Sequence, residues 1–234
     1  MKMYYSFLFF LMFNSFMFAQ NVNQFDTNGK RHGVWKKHFE DTNILRYEGQ
    51  FNHGKEVGLF KFYKNYKKKA ILSATKLFNE ANKIAEVKFL ASNGKVISEG
   101  NMNGKTYIGT WKYYQKNSDQ LLTIENYNDK GELVGERLVY YPNGQIAEKQ
   151  NYINGKLNGE SFWLSEKNVV LKTYIYENDE LHGAAKFYSP KGELLSEGQY
   201  KRGKKHGVWK YYEDAKLVKE KDFTYKPKYI KKTP

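Results

Sequence analysis

The stretch that decides the fold runs from Gly192 to Tyr212 and reads GELLSEGQYKRGKKHGVWKYY. It holds an apolar run, a Glu-Gly pair, an aromatic, a basic turn with a glycine, and a second aromatic run. Copies of it recur along the chain. The glycine before the aromatic run returns as Gly33, Gly58, Gly109, Gly135, Gly159, Gly183 and Gly207, and Ala85 fills the same place in a degenerate third unit. The intervals are 25, 27, 24, 26, 24, 24 and 24 residues. A second column keeps the same phase: Phe51, Phe78, Met102, Tyr127, Tyr152, Tyr176, Tyr200 and Phe223, with Phe25 closing a partial unit ahead of the first anchor. A period in this range marks a repeat array, in which each unit buries its apolar face against its neighbours.

Within a unit, the run after the anchor glycine is made of strand formers: VWKYY after Gly207, TWKYY after Gly109, AAKFY after Gly183. A turn with Pro, Asn or Gly follows, then a second short strand such as LLSEGQY, then a further turn with Gly54, Gly104, Gly155 or Gly203. That alternation predicts one β-hairpin per unit. The fold class expected is all-β: an elongated array of about eight antiparallel β-hairpin repeats forming one long twisted sheet. Residues 70–86 come nearest to a helical period but read better as a strayed repeat with a longer connection.

Strand geometry sorts the side chains. Positions two and four after the anchor share a face and are mostly apolar, among them Trp35, Phe60, Phe62, Trp111, Tyr113, Trp163, Phe187, Trp209 and Tyr211. The position between them points the other way. It is lysine in six of eight units: Lys36, Lys61, Lys88, Lys112, Lys186 and Lys210. Glu48, Glu99 and Glu197 each lie thirteen residues before one of these lysines, so folding the intervening turn sets Glu48 opposite Lys61, Glu99 opposite Lys112 and Glu197 opposite Lys210. Such cross-strand pairs fix register; the same lysine stripe is also a candidate surface for an anionic partner. The candidate partner surface is thus these six lysines with Trp111, Trp163 and Trp209.

The chain ends read differently. Residues 1–19, with Lys2 followed by the apolar runs Phe7–Phe13 and Phe16–Ala19, are expected to be a secretory signal peptide, with an uncleaved membrane anchor as the alternative. The repeat domain spans 20–225, and 226–234 is a basic tail with Lys226, Lys228, Lys231 and Lys232. With such a signal the chain is expected to be exported, to a periplasm, an outer membrane or the outside of the cell. The sequence has no cysteine, so packing and sheet hydrogen bonds must hold it. The whole chain carries a formal charge of +14, which favours acidic partners: a protein, or an anionic membrane or envelope surface. Export argues against nucleic acid.

Nothing in the pattern suggests catalysis. His32, His182 and His206 each precede an anchor glycine, and equivalent positions are two strands, or about 10 Å, apart; zinc needs nitrogens within about 2.1 Å of one ion. The sequence has no nucleophile elbow and no phosphate-binding glycine loop, and the repeated glycines suit turns that require positive φ. The reading is a non-enzymatic binding protein without cofactor.

The pattern Gly-Lys-x-His-Gly-x-Trp-Lys-Tyr-Tyr with x-x-Gly-x-Leu-x-x-Glu-Gly-x-Tyr, clearest at Gly203–Tyr212 with Gly192–Tyr200 and again at Gly29–Trp35 with Tyr47–Phe51, resembles the MORN-repeat variant of bacteria. The resemblance covers nearly all of residues 25–223 and departs from the pattern at Ala85 and at Asp179, where a turn glycine is expected. It implies an interaction module, in relatives that include membrane-associated scaffolds and antitoxins that neutralise a toxin partner.

Overall fold

The computed structural model describes residues 21–224; the expected signal peptide and the basic tail lie outside the described residues. Eighteen strands form one sheet: β1 Gln24–Phe25, β2 Arg31–His38, β3 Leu45–Asn52, β4 Lys55–Tyr66, β5 Lys69–Phe78, β6 Ile84–Leu90, β7 Val96–Asn103, β8 Thr106–Tyr114 and β9 Leu121–Tyr127, then β10 Gly135–Tyr140, β11 Ile146–Ile153, β12 Lys156–Leu157, β13 Gly159–Leu164, β14 Val170–Glu177, β15 Glu180–Tyr188, β16 Leu194–Lys201, β17 Lys204–Glu213 and β18 Lys216–Asp222. The ladders are antiparallel and run between consecutive strands, β11 pairing with both β12 and β13. The unit count matches the expectation of eight hairpins. The two additional strands are β1, the closing piece of the partial first unit, and β12, split from β13 at Asn158, whose N–H donates to Asn151 O at 2.9 Å. Residues 70–86 are strand, turn and strand.

Two columns of irregularity recur. In the first, the hairpin ladder slips by one residue, leaving Arg46, Ser73, Ile97, Leu122, Ala147, Leu171, Leu195 and Val218 as the extra residue of a bulge. The second sits at the anchor glycine. Between Glu48↔Lys61 and Gln50↔Val57, β3 advances two residues while β4 advances four, and the same happens at Glu99/Asn101 and Glu197/Gln199. The glycine inside each of these bulges has positive φ: 67° at Gly58, 64° at Gly109 and 66° at Gly207. Only glycine takes that conformation without steric cost, so the anchor column is a backbone requirement. Ala85 has no positive φ, and its unit pairs regularly from Phe78↔Ala85 to Ala74↔Phe89. Asn178 and Asp179, at φ 49° and 72°, take the turn where a glycine was expected; short Asn and Asp side chains tolerate that region best after glycine.

The bulge has a packing purpose. It lets the side chain two after the anchor fold over the neighbouring strand, onto the glycine of the Glu-Gly pair. A Cβ built on Gly49 would lie 2.4 Å from the Phe60 ring, on Gly100 2.6 Å from Trp111, and on Gly198 2.4 Å from Trp209. These glycines do not have positive φ; they are small because a ring occupies their side-chain space. The indole N–H groups then reach backbone carbonyls, Trp111 Nε1 to Asn101 O at 2.9 Å and Trp209 Nε1 to Gln199 O at 3.1 Å.

The residue two before the anchor covers the other side of the ring. Tyr107 stacks on Trp111 at 3.9 Å and 8°, Lys205 Nζ lies 3.8 Å from the Trp209 ring centroid, and Arg31 lies 4.9 Å from that of Trp35. Trp111 and Trp209 are thereby 0% exposed in a sheet one layer thick. Trp111 sits in a cluster with Ala85, Val87 and Met102, flanked by Phe78, Phe89 and Tyr127. Removing each such side chain from water contributes about 1.5–3 kcal/mol, and aromatic pairs form three runs along the sheet, Phe25 to Phe78, Phe89 to Tyr127 and Trp163 to Phe223.

Candidate interaction surfaces

The lysine column lies on the face opposite the rings, and each expected Glu–Lys partnership is present in the register: Glu48 with Lys61, Glu99 with Lys112, Glu197 with Lys210. Each glutamate in fact stands between two lysines, because the preceding hairpin supplies Lys36, Lys88 or Lys186. The ammonium–carboxylate distances are 3.8 Å for Lys36–Glu48 and Lys61–Glu48, 3.1 Å for Lys88–Glu99, and 3.8 Å for Lys186–Glu197. Such partly exposed pairs contribute up to about 1 kcal/mol each.

A third member was not foreseen from the sequence. The tyrosine two residues after the lysine donates to the same carboxylate: Tyr63 Oη to Glu48 at 2.7 Å, Tyr114 Oη to Glu99 at 2.5 Å, Tyr212 Oη to Glu197 at 2.9 Å. The fixed spacing of lysine to this tyrosine was the available signal. The Tyr114 hydroxyl holds the Glu99 carboxyl below its ordinary range, with Lys88 and Lys112 acting the same way. Burial, then the carboxylate bond, pushes Tyr63 and Tyr114 up to about 12.

The tryptophans require a correction. Trp111 and Trp209 are completely buried under Tyr107 and Lys205 and cannot offer their rings to a partner. Trp163 is half-buried, edge-on to Tyr174 at 5.4 Å, with Lys172 Nζ 4.3 Å from its ring centroid. Beside its cations the lysine face exposes aliphatic Leu59, opposite Leu77, and Val208, next to Lys210, and in the same column the polar Glu86, Thr110, Glu136 and Glu160.

The aromatic face is interrupted near its middle. Arg137 takes the ring position, and its Nε donates to Glu125 Oε1 at 3.0 Å and its Nη1 to Gln150 Oε1 at 3.3 Å, with Glu148 3.9 Å away. Tyr127 Oη donates to Glu125 at 2.6 Å and Tyr152 Oη to Gln150 at 3.1 Å. Burial, followed by the bond to Glu125, raises the Tyr127 pKa. With each group partnered, the network replaces a ring at little cost.

His32, His182 and His206 stay on separate hairpins, within strands β2, β15 and β17. His32 lies beside His53, ring centroids 4.7 Å apart, and His53 Nδ1 is 2.6 Å from Asp26 Oδ2. Among the described residues no three His, Asp or Glu side chains gather as a metal would need.

Two segments, 133–154 and 181–202, match the family model described as MORN repeat variant. No curated protein matches the chain. Among solved structures, a mutant of S. aureus TarM in complex with fondaparinux, α-GlcNAc-glycerol and UDP aligns at 12% identity over 63% of this chain and 21% of that one, with a TM-score of 0.26 that carries no argument about fold or function. Each matched segment starts two residues before an anchor glycine, at Leu133 or Leu181, and ends in the turn after the closing aromatic, so the matches support a MORN-repeat family and fall on whole structural units.

Proposed function

We propose that the chain is a non-enzymatic, exported repeat protein that binds a protein partner, in an immunity-like role that neutralises a toxin. The observation that carries this reading is the composition of the lysine face. Four of its six lysines, Lys36, Lys61, Lys88 and Lys186, are paired with Glu48, Glu99 and Glu197, and the column is interleaved with exposed Leu59, Leu77 and Val208. A face of largely paired charge with scattered apolar side chains suits a protein interface, in which bulk hydrophobicity is ordinary and charge pairs set register. The repeat-family match supports a binding role over catalysis. Export rests on the apolar N-terminal segment alone.

The alternative is a peripheral envelope scaffold that uses lysines on anionic lipid or surface polymer. Sedimentation of the full chain with phosphatidylglycerol and with phosphatidylcholine vesicles separates the two. The protein-binding reading expects no salt-sensitive preference for the anionic vesicles and a discrete protein captured from the envelope at physiological salt. Strong, salt-sensitive binding to phosphatidylglycerol without a protein partner overturns it in favour of the scaffold.

A further inference from the structure

The β4–β5 hairpin departs from the array in four ways at once. Other hairpins end their ladder at the fifth residue after the anchor, as at His38↔Leu45, Leu90↔Val96 and Tyr114↔Leu121, or one pair later at Glu213↔Lys216 of β17–β18. Here Tyr63↔Leu72 is followed by Lys64↔Ile71, Asn65↔Ala70 and Tyr66↔Lys69, so the hairpin projects three residue pairs further. Its tip carries Lys64, Lys67, Lys68 and Lys69 with no acidic residue between them. The two loop residues are Lys67 and Lys68, at φ 50° and 61°, in the pattern that favours Asn-Gly. The chain therefore holds two lysines in a conformation they resist, where a less strained pair would close the same turn. Beside them Tyr66 is 58% exposed.

A groove of about 700 Å³ opens at the base of this hairpin, lined by Lys37, Phe39, Arg46, Tyr47, Phe62 and Lys64. It exists because the first unit breaks the repeat pattern. Lys37 stands four after the anchor, where six other units hold the rings Phe62, Phe89, Tyr113, Trp163, Phe187 and Tyr211 and unit five holds Val139, and leaves the ring slot beside Tyr47 unfilled. Arg46 is the extra residue of its bulge and lies over Phe39 at 5.9 Å, while the equivalent positions elsewhere hold Ser73, Ile97, Leu122, Ala147, Leu171, Leu195 and Val218. Bulges of this sort re-aim a side chain. The groove thus has an aromatic floor and a cationic rim, and none of the residues lining it is acidic.

We infer that this hairpin and groove form a docking site for an acidic segment of a protein partner, with an aromatic side chain of that segment seated among Phe39, Tyr47 and Phe62 and its carboxylates on Lys37, Arg46, Lys64, Lys67 and Lys68. An open groove with an aromatic floor and a cationic rim offers a ring slot to an inserted side chain, which favours a polypeptide over a flat membrane surface. The inference rests on the protein-binding reading and names the part of the array that carries it.

The test uses the full chain and two fluorescein-labelled peptides, one of glutamates around a central tryptophan and one with serine in its place. The tryptophan peptide is expected to bind more tightly and to weaken with salt. Lys37→Phe, which restores the ring of the other repeats, removes the advantage of tryptophan over serine. Lys67→Asn with Lys68→Gly weakens both peptides by about tenfold or more and leaves the melting temperature unchanged or higher. Equal affinity for the two peptides, full binding by either variant, or a lowered melting temperature in the Asn-Gly variant overturns the inference. So does binding to phosphatidylglycerol vesicles that the Asn-Gly variant abolishes while peptide binding persists. A partner captured equally by wild type and variants keeps the general protein-binding reading and removes this site.

Discussion

Units four and seven fill the same space with opposite residues. In unit four, Trp111 on β8 lies over Gly100 of β7: the ring comes from the anchored strand and the neighbouring strand gives way. Leading into unit seven, Tyr174 on β14 supplies the ring and stands opposite Ser161 of β13 and Ala185 of β15, both fully buried. Tyr174 is edge-on to Trp163, Phe187 and Tyr200 at 5.4, 5.5 and 6.0 Å, the type of contact Trp209 makes with Tyr200 at 5.3 Å. The constant quantity along the sheet is volume summed across neighbouring strands, and residue identity at a column is free to move as long as its neighbour compensates.

The strongest way to break this equivalence is Trp209→Ser. It empties a fully buried indole site and uncovers Lys205, and the expected loss is about 3–5 kcal/mol, read from denaturant midpoints. Adding Gly198→Tyr reproduces the Ser161–Tyr174–Ala185 arrangement, with Ala185 already in place on the far side. The double variant should recover a large part of the loss. A double variant less stable than Trp209→Ser alone would show that the two solutions are not interchangeable.

A smaller effect separates the two classes of glycine. Gly100→Ala forces a methyl to within 2.6 Å of a ring that cannot move aside, at an expected cost of about 1–3 kcal/mol. Gly109→Ala meets nothing within 4 Å but must hold alanine at φ 64°, at an expected cost of about 1 kcal/mol. Urea melts of the pair check the order; an equal or larger loss at Gly109 would mean that the ring can shift and the bulge cannot.

On the opposite face the expected effect is weaker and depends on pH. Glu99 titrates below its ordinary range in the folded chain because Tyr114, then Lys88, stabilise the carboxylate. Its contribution is complete above the unfolded glutamate value, about 4.3, and is lost as pH falls through the lower folded value. Tyr114 has its pKa raised to about 12, so its contribution is complete below about 10 and is lost as pH climbs through 12. Tyr114→Phe should flatten both ends of a melting-temperature profile, by less than about 1 kcal/mol at neutral pH. An unchanged profile would mean that the Tyr–Glu bond contributes nothing.

Much of this was readable from spacing. The anchor and closing columns set strand order and register, and the thirteen-residue offset between Glu48 and Lys61 located a real cross-strand pair. What stayed hidden was depth. Trp111, Trp163 and Trp209 look alike as strand residues, yet two are sealed and one is half open: Trp111 and Trp209 stand two after the anchor, under Tyr107 and Lys205, while Trp163 stands four after it, edge-on to Tyr174. The glycines also look alike, although Gly109 serves φ and Gly100 serves volume. The groove beside Lys37 was legible only as a missing ring, which carries meaning once Tyr47 and Phe62 are known to flank the vacancy.

The smallest expected effect lies where the exchange of volumes is least perfect. Ser161 sits where Trp111 and Trp209 sit in their units, fully buried opposite Tyr174, and its Oγ meets no hydrogen-bond partner among the described residues. A buried hydroxyl without a partner loses its hydration and gains nothing in return. Alanine fits the same volume, as Ala185 does on the other side of Tyr174. Ser161→Ala is therefore expected to be neutral or to stabilise by up to about 1 kcal/mol, read as a small rise in melting temperature. A clear loss would show that the hydroxyl is bonded in solution, and that the polar network around Arg137 and Gln150 reaches one strand further than its hydrogen bonds indicate.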